Sequence, residues 1–308
     1  MSATSDRFAG KGDSFSPAML TVPQAFDQLI RGLELTEKEQ QEASRQQNVV
    51  RDNLRGALTI IHDFLSGSYR RRTAIRPLKD IDLVLVLDAT RHRDLRSEPP
   101  QKTLGLVRDA LARAYPNAAP PRLQSRSVNI EFRGTEIGYD VVPAFRHDGG
   151  GYLIPDVDRG SWIRSDPERH REACVAANEA TGGMLNPLIK LAKAINARHH
   201  RPLRSFHLEV MAYSAFQGRP IDYPNGLRHL LAHLADRVLR ACPEPAGLGP
   251  NIDQGMTSEE RGKICREIQQ WMRHADQALD AARRGDVAAA HRSWSSLFGP
   301  LYPAFLAG

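Results

Sequence analysis

Three aspartates are the residues of this chain whose types and spacing are best suited to chemistry. Asp80 and Asp82 stand two positions apart at the start of the aliphatic run LVLVL, and Asp140 lies in a second strand-like segment, GYDVVPAF. Side chains at positions i and i+2 of a strand project from the same face, so the first two carboxylates lie close together. Divalent cations such as Mg²⁺ prefer carboxylate oxygens and complete their coordination with phosphate and water. The pattern predicts a metal site for a nucleoside triphosphate if Asp140 joins the pair.

Two such ions would divide the work of a nucleotide transfer, one activating an attacking hydroxyl and the other neutralising the leaving pyrophosphate. The alternative is surface ion pairing, because two aspartates at this spacing also arise by chance. The aliphatic run after Asp82 weakens that alternative. Carboxylates at the start of a buried strand are costly unless they are paired or bind a metal.

A Gly-Ser turn precedes these aspartates by twelve residues. The absence of a side chain at Gly67 lets backbone N–H groups approach a phosphate, and the hydroxyl of Ser68 can donate to it. An ordinary helix end, with glycine in the left-handed conformation, is the alternative interpretation. Arg70, Arg71 and Arg72 follow the turn, and the sequence does not decide whether they face phosphate or solvent.

Two lysines and a serine are further candidates for binding phosphate. Lys190 and Lys193 lie three residues apart in NPLIKLAKAIN and therefore near one helix face. A solvated helix face is the common alternative for such a pair. Ser205 precedes the apolar run FHLEVMAYSAF, where it is expected to be the N-cap of a helix and to offer its hydroxyl to phosphate.

The elements around these residues indicate an α+β fold. A capping box at Thr36 and Glu39 predicts one long helix that continues through residue 65 and bridges two lobes. Strands are expected at residues 81–87, 127–133 and 136–144, the last two joined by a Gly134-Thr135 turn, and a loop follows. The remainder is expected to be all helical. The predicted division is a flexible N-terminus, a catalytic lobe and a helical lobe, at residues 1–20, 21–165 and 166–308.

Composition restricts the class of protein. The chain has 308 residues, of which 41% are hydrophobic and 25% charged, an ordinary globular balance. The net charge of +6 suits an anionic ligand, but charge alone favours the simpler explanation of a solvated surface rich in arginine. Three dispersed cysteines predict neither a disulfide framework nor a zinc site. Without an apolar leader or a bilayer-length apolar run, the protein is expected to be soluble and cytoplasmic, with no membrane contact.

Taken together, the segments GSYRRRTAIRPLKDIDLVLVL, GYDVVPAF, WIRSDPERH and LIKLAKAIN followed by SFHLE resemble the cGAS/DncV-like nucleotidyltransferases of bacterial anti-phage signalling. The resemblance covers about residues 50–216. It implies a polymerase-β-like nucleotidyltransferase lobe with a mixed sheet, joined to a C-terminal helical lobe. A glycine-serine pair and two spaced aspartates alone mark only the wider superfamily, so the combination of segments carries the specificity.

The resemblance implies a role for each candidate residue. Asp80, Asp82 and Asp140 match the family's metal triad, which holds two Mg²⁺ or Mn²⁺ ions, with Asp140 also placed to activate the acceptor hydroxyl. Triphosphate contacts are implied for Gly67, Ser68, Lys193 and Ser205. The chain departs from the family in two places. Arg72-Thr73 stands where Gly-Thr is common, and Ala194-Ile195 lacks the usual aromatic residue before Asn196.

The implied activity is the joining of nucleoside triphosphates, ATP among them, into a cyclic di- or trinucleotide second messenger. A HORMA-type or conjugating regulatory protein is a possible partner in this family. Direct DNA sensing is not expected, because the chain has no Cys/His cluster like the zinc insertion of the animal enzyme. The alternatives are a template-independent RNA nucleotidyltransferase of the poly(A) or CCA-adding kind and a non-enzymatic nucleotide-binding protein on the same fold.

Overall fold

A computed structural model describes residues 20–132 and 137–305 of the chain. The predicted flexible N-terminus, except residue 20, and the predicted Gly134-Thr135 turn lie outside this range. The strands described are β1 (Ile60–Leu65), β2 (Asp80–Leu87), β3 (Arg122–Leu123), β4 (Val128–Glu131), β5 (Gly138–Arg146), β6 (Tyr152–Asp156) and β7 (Ser161–Ser165). The helices are α1 (Val22–Leu33), α2 (Glu37–Arg55), α3 (Gly67–Arg70), α4 (Arg93–Ser97), α5 (Pro100–Ala114), α6 (Pro167–Ala180), α7 (Leu185–Arg198), α8 (Ser205–Ala212), α9 (Tyr223–Arg237), α10 (Ser258–Arg283) and α11 (Val287–Phe298), followed by a 3₁₀ turn (Gly299–Leu301).

The helix predicted from Thr36 through residue 65 is shorter than the sequence indicated. Its capping box is present, since Thr36 accepts from the backbone of Glu39 and the Glu39 side chain accepts in return. The helix ends at Arg55, and residues 60–65 form β1, which pairs antiparallel with β2. The prediction was wrong for residues 60–65 because a short apolar segment is compatible with either a helix or a strand. Pairing with β2 favours the strand.

The sheet has the strand order β1-β2-β5-β4-β3 within the described residues, and β2 and β5 are parallel. All the other pairings are antiparallel. A hairpin of β6 and β7 extends from the end of β5, where the sequence predicted only a loop. The parallel pair places Asp82 directly opposite Asp140, so the register fixes the relation between the two acidic segments.

The described residues contain two large hydrophobic cores and one small cluster, formed by Val84, Val86 and Ala144. One large core is built from helices and includes Trp271 and Trp294. The other lies beneath the sheet and includes Leu83, Val141 and the buried side chains of α2. The side chains of α1 belong to the helical core, although the predicted boundary assigned them to the catalytic lobe. The α2 helix, in contrast to α1, packs on the core beneath the sheet. The division into lobes at residue 165 stays a prediction.

The helices after residue 166 follow the sequence expectation closely. Asp166 caps α6 by accepting from the backbone of Glu168 and Arg169, and Pro167 occupies its first turn. The longest helix of this region is α10, which spans Ser258–Arg283. No helix in residues 20–132 or 137–305 has both the length and the apolar character to cross a bilayer.

Candidate active site

The three predicted aspartates line one cavity. Asp80 and Asp82 project from the same face of β2, and the parallel register sets Asp140 of β5 opposite Asp82 on that face. All three contribute to the wall of a cavity of about 710 Å³ that opens between the sheet and the helices α7 and α8. The two acidic segments therefore meet at one cavity, and the role of the three aspartates stays a prediction.

Crowding of the carboxylates changes their acidity. Burial, and then the neighbouring charge of Asp140, raise the pKa of Asp82 from 3.8 to about 6. Burial also raises the pKa of Asp140, while an amide N–H of Asn129, 2.8 Å from its Oδ1, opposes that shift. Burial and mutual repulsion make the ionised carboxylates unfavourable in the absence of a cation. A bound cation would offset that cost, as expected at a cation site.

The described residues contain no group of three or more His, Cys, Asp or Glu side chains gathered tightly enough to form a metal site by themselves. The donor set is nevertheless suited to a hard divalent ion, since three carboxylates share one cavity and repel one another. Ligands from nucleotide phosphates and water would have to complete the coordination. Asp80, Asp82 and Asp140 are thus the residues that fit a metal ion supplied together with its nucleotide.

The Gly-Ser turn lies against these carboxylates. Gly67 has φ +64°, and a Cβ added there would overlap the carboxylate of Asp82, so this position requires glycine. Ser68 lines the cavity, and the backbone N–H of Ser66 donates to the carbonyl of Asp82 at 2.8 Å. The turn follows β1 rather than the long helix that the sequence predicted. Strand pairing, not a helix end, brings this turn to the aspartates.

The two candidate lysines differ in position. Lys193 lines the cavity, and its Nζ donates to Oε1 of Glu209 and to the carbonyl of Thr73, each at 2.9 Å. Lys190 is also buried, but it pairs with Glu34 at 2.5 Å and does not line either of the two cavities that contain the aspartates. The structure therefore brings Lys193, and not Lys190, to the carboxylates.

Ser205 lines the cavity as predicted, but its position in the helix differs. It is the first residue of α8 rather than the cap, and Arg204 takes the cap position without a side-chain hydrogen bond. The hydroxyl of Ser205 is exposed, so it remains available to a ligand.

A second cavity of about 390 Å³ meets the first at the carboxylates. Both cavities are lined by Ser68, Asp82, Asp140 and Ser205. The second cavity adds an apolar surface formed by Val84, Val142, Ile154 and Phe206. Its further polar lining includes Gln124, Arg126 and Ser127. The two cavities therefore meet at the carboxylates of Asp82 and Asp140.

Two parts of the site, Glu209 and the segment around Leu301, were not identified from the sequence, and the position of Arg71 was left undecided. Glu209 and Arg71 line the second cavity as a buried ion pair. The segment around Leu301 forms part of the wall of the first cavity. Glu209 does carry a signal, namely a single acidic residue within the apolar run FHLEVMAYSAF. Leu301 has none, because only long-range packing places it there.

The three arginines after the turn have different environments. Arg71 is buried against Glu209, while Arg70 pairs with Glu168 near the surface. Arg72, where the family commonly has glycine, has φ +59° and is exposed. It lines neither cavity, so this departure from the family pattern does not narrow the site.

Comparison with known proteins agrees with this geometry. The sequence profile of the Second Messenger Oligonucleotide or Dinucleotide Synthetase domain matches residues 20–178, just over half of the chain. A cyclic AMP-AMP-AMP synthase of Acinetobacter sp. is 27% identical over 312 residues, covering 94% of this chain and 87% of the relative. The CBASS oligonucleotide cyclase CdnC of Escherichia coli is 22% identical, covering 79% of this chain and 82% of the relative.

Solved structures have the same fold. The CdnC protein of Escherichia coli MS115-1 in complex with HORMA-deltaN superposes with a TM-score of 0.71 at 21% identity, covering 92% of this chain and 98% of the other. The same protein with ATP superposes with a TM-score of 0.70 at 20% identity, covering 92% and 99%. The chain therefore belongs to the second-messenger oligonucleotide or dinucleotide synthetases, the cGAS/DncV-like nucleotidyltransferases, and is an enzyme of that family.

Proposed function

We propose that this protein converts ATP into a cyclic oligoadenylate, cyclic AMP-AMP-AMP, that acts as a second messenger in anti-phage defence. The observation that carries the proposal is the convergence of Asp80, Asp82 and Asp140 on cavities that also contain the Gly-Ser turn. Relatives named as cyclic AMP-AMP-AMP synthase and CBASS cyclase support the product and the setting.

Two Mg²⁺ or Mn²⁺ ions are proposed to be held by the three aspartates. When bound, such ions lower the pKa of an attacking hydroxyl and neutralise charge on the leaving pyrophosphate. The pKa of Asp82, which burial and then the charge of Asp140 raise, supports this assignment, because a bound cation favours the ionised carboxylate that both effects disfavour.

The protein's own groups are proposed to bind and orient the nucleotides. The backbone at Gly67 and the hydroxyls of Ser68 and Ser205 donate to the triphosphate, and Lys193 supplies positive charge beside it. Asp140 accepts the proton of the acceptor hydroxyl, with Asn129 holding its Oδ1. Lys190 is not included, because it pairs with Glu34 away from the cavities.

The two cavities are proposed to receive the donor and acceptor nucleotides. Lys193 and the polar turn favour the triphosphate in the larger cavity. The apolar surface of Val84, Val142 and Phe206 favours a nucleobase in the smaller one.

A product assay tests the proposal. The protein is incubated with ATP and Mg²⁺ or Mn²⁺, treated with phosphatase, and the resistant product is identified by mass spectrometry. We expect a cyclic trinucleotide of AMP from the wild type and none from Asp82→Asn. Linear products that require an RNA primer would favour the RNA nucleotidyltransferase instead, an alternative that no comparison supports.

A HORMA-type protein is a proposed regulatory partner, since the structure of a CdnC protein was determined in complex with one. The product assay is therefore repeated with a HORMA-domain protein added. If no phosphatase-resistant product forms with or without it, the proposed activity is wrong.

A further inference from the structure

Glu209 is a buried carboxylate that joins cations from distant parts of the chain. Its side chain is 0% exposed and lies in α8. Its Oε2 accepts from Nε of Arg71 at 2.9 Å and from the hydroxyl of Thr73 at 2.8 Å. Its Oε1 accepts from Nζ of Lys193 at 2.9 Å. Both carboxylate oxygens are therefore occupied by groups that flank the nucleotide cavities.

The cluster carries an excess of positive charge. Burial alone would raise the pKa of Glu209, but Arg71 and Lys193 reverse this effect and hold the pKa below its ordinary value. One carboxylate thus faces two cations, each less than a tenth exposed. Excess positive charge beside a cavity that receives triphosphate is favourable for binding.

The same cations have a competing partner nearby. Positive charge on Arg71 lowers the pKa of Asp82, opposing its burial, so the two groups are close enough to interact. Lys193 lines the same cavity as Asp82. Without Glu209, the carboxylate of Asp82, which lines a cavity with each cation, would be a competing anion for both.

Arg71 is also fixed from its other side. Its guanidinium lies 4.7 Å from the ring centre of Phe206, and its backbone carbonyl accepts from the amide of Asn186. Lys193 likewise donates to the carbonyl of Thr73. These contacts leave Glu209 as the charged group that sets where both cations point.

We propose that Glu209 is a positioning residue for nucleotide binding, which keeps Lys193 and Arg71 directed at the triphosphate and away from Asp82. This inference rests on the proposed function, because it assigns Lys193 to the triphosphate. Glu209 itself need not touch the substrate.

A double-mutant cycle tests this role. We expect Glu209→Gln to lower kcat/KM for ATP by about 30-fold or more, mainly through KM, because one partner of a buried charge pair is lost. In a Lys193→Met background the same substitution should lower kcat/KM by less than about fivefold, because interacting residues are not additive. A purely structural role predicts the full effect in both backgrounds.

Glu34→Gln is the matched control. It also removes a carboxylate from a lysine of α7, but Lys190 lies outside the cavities. We expect kcat/KM to change by less than about twofold, because Lys190 lies outside the cavities and Glu34 is about half exposed to solvent. An equal loss in both glutamine variants would overturn the proposal.

Binding of a non-hydrolysable ATP analogue with Mg²⁺, measured by calorimetry, separates this inference from the proposed activity. We expect Glu209→Gln to weaken binding by about tenfold or more, even if the wild type forms no cyclic product. If the glutamine variant does not fold, Glu209→Asp keeps the charge but shortens the reach, and should also raise Kd. Wild-type Kd in a folded variant would overturn the proposal.

Discussion

At the scale of single residues, the environment of Asp82 disfavours the ionised form of its carboxylate. Burial and the charge of Asp140 raise its pKa to about 6. The ionised carboxylate, which a metal ion requires, is therefore the costly form in the absence of metal. A residue whose charge is costly alone and useful with a ligand is common at functional sites.

Asp82→Asn should abolish product formation while stabilising the metal-free fold. Because the folded-state pKa of about 6 exceeds the ordinary 3.8, wild-type stability falls relative to the variant as pH rises through this window. We expect the difference in Tm, measured in chelator, to grow between about pH 4 and pH 6 and then to level off. A constant difference across that window would contradict the assigned pKa.

Gly67→Ala should abolish activity because of one methyl group. Its Cβ would overlap the carboxylate of Asp82, in addition to the strain of φ +64°. Gly247→Ala is the matched control, since Gly247 has φ +66° and nothing within 4 Å of an added Cβ. Both variants should lose about 1 kcal/mol of stability from the backbone. Only Gly67→Ala should lose turnover in the product assay, and equal activities would refute the steric argument.

At the scale of secondary structure, one face of the strand β5 packs in the sheet core and the other lines the cavities. Tyr139 points into the sheet core and donates its hydroxyl to the carbonyl of Ala43 in α2 at 2.8 Å. The next residue, Asp140, points into the cavities. Packing of α2 on the buried face therefore fixes the strand that carries the third carboxylate.

Tyr139→Phe should reduce stability by about 1 kcal/mol, because a buried hydrogen bond is lost while the ring remains packed. Tyr115→Phe is the control. The hydroxyl of Tyr115 accepts from Asn53, which also lies in α2, but this hydrogen bond is near the surface, where water can take the place of the hydroxyl. Urea unfolding measures both. Equal losses would show that burial of the Tyr139 hydroxyl is unimportant.

The elements that were predicted correctly depend on local signals. The capping box at Thr36, the spacing of Asp80 and Asp82, and the proline in the first turn of α6 all act within a few residues. The strand β1 was missed because its apolar positions also suit a helix, and only pairing with β2 resolves this. The β6–β7 hairpin was missed because Pro155 and the glycines before it indicate a loop.

The candidate site shows the same limit. Residue types and spacing identified the three aspartates, the Gly-Ser turn and two lysines as candidates, and the resemblance to the family implied their roles. Types and spacing could not separate Lys193 from Lys190, because the two share a helix face and differ only in what packs opposite them. Glu209 was missed because its burial beside Arg71 results from tertiary contacts more than 130 positions apart in sequence.

At the scale of the whole molecule, residues near the two ends of the described chain contact each other through His291. The hydroxyl of Tyr302 lies 3.1 Å from Nδ1 of His291, and Nε2 of His291 lies 2.7 Å from the carbonyl of Leu20. The ring of Tyr302 stacks on Phe298 and meets the edge of Phe26. This anchor immediately follows the residues that line the larger cavity.

Tyr302→Ala should reduce stability by about 3 to 5 kcal/mol, because it removes a buried aromatic ring. It should also raise KM for ATP, since Pro300 and Leu301 lose their anchor beside the cavity. Tyr302→Phe keeps the ring and loses only the contact with His291, so we expect a loss of about 1 kcal/mol and an unchanged KM. Chemical denaturation and steady-state kinetics measure these effects, and a wild-type KM for a folded Tyr302→Ala would disprove the link.

The lining of the larger cavity by Phe298, Pro300 and Leu301 has a consequence for protein synthesis. A ribosome makes the strands that carry the aspartates within the first half of the chain, but it adds this lining only near residue 300. A polypeptide released early therefore carries the acidic residues without a complete pocket for its nucleotide. The larger cavity is therefore complete only after residue 301 has been added to the chain.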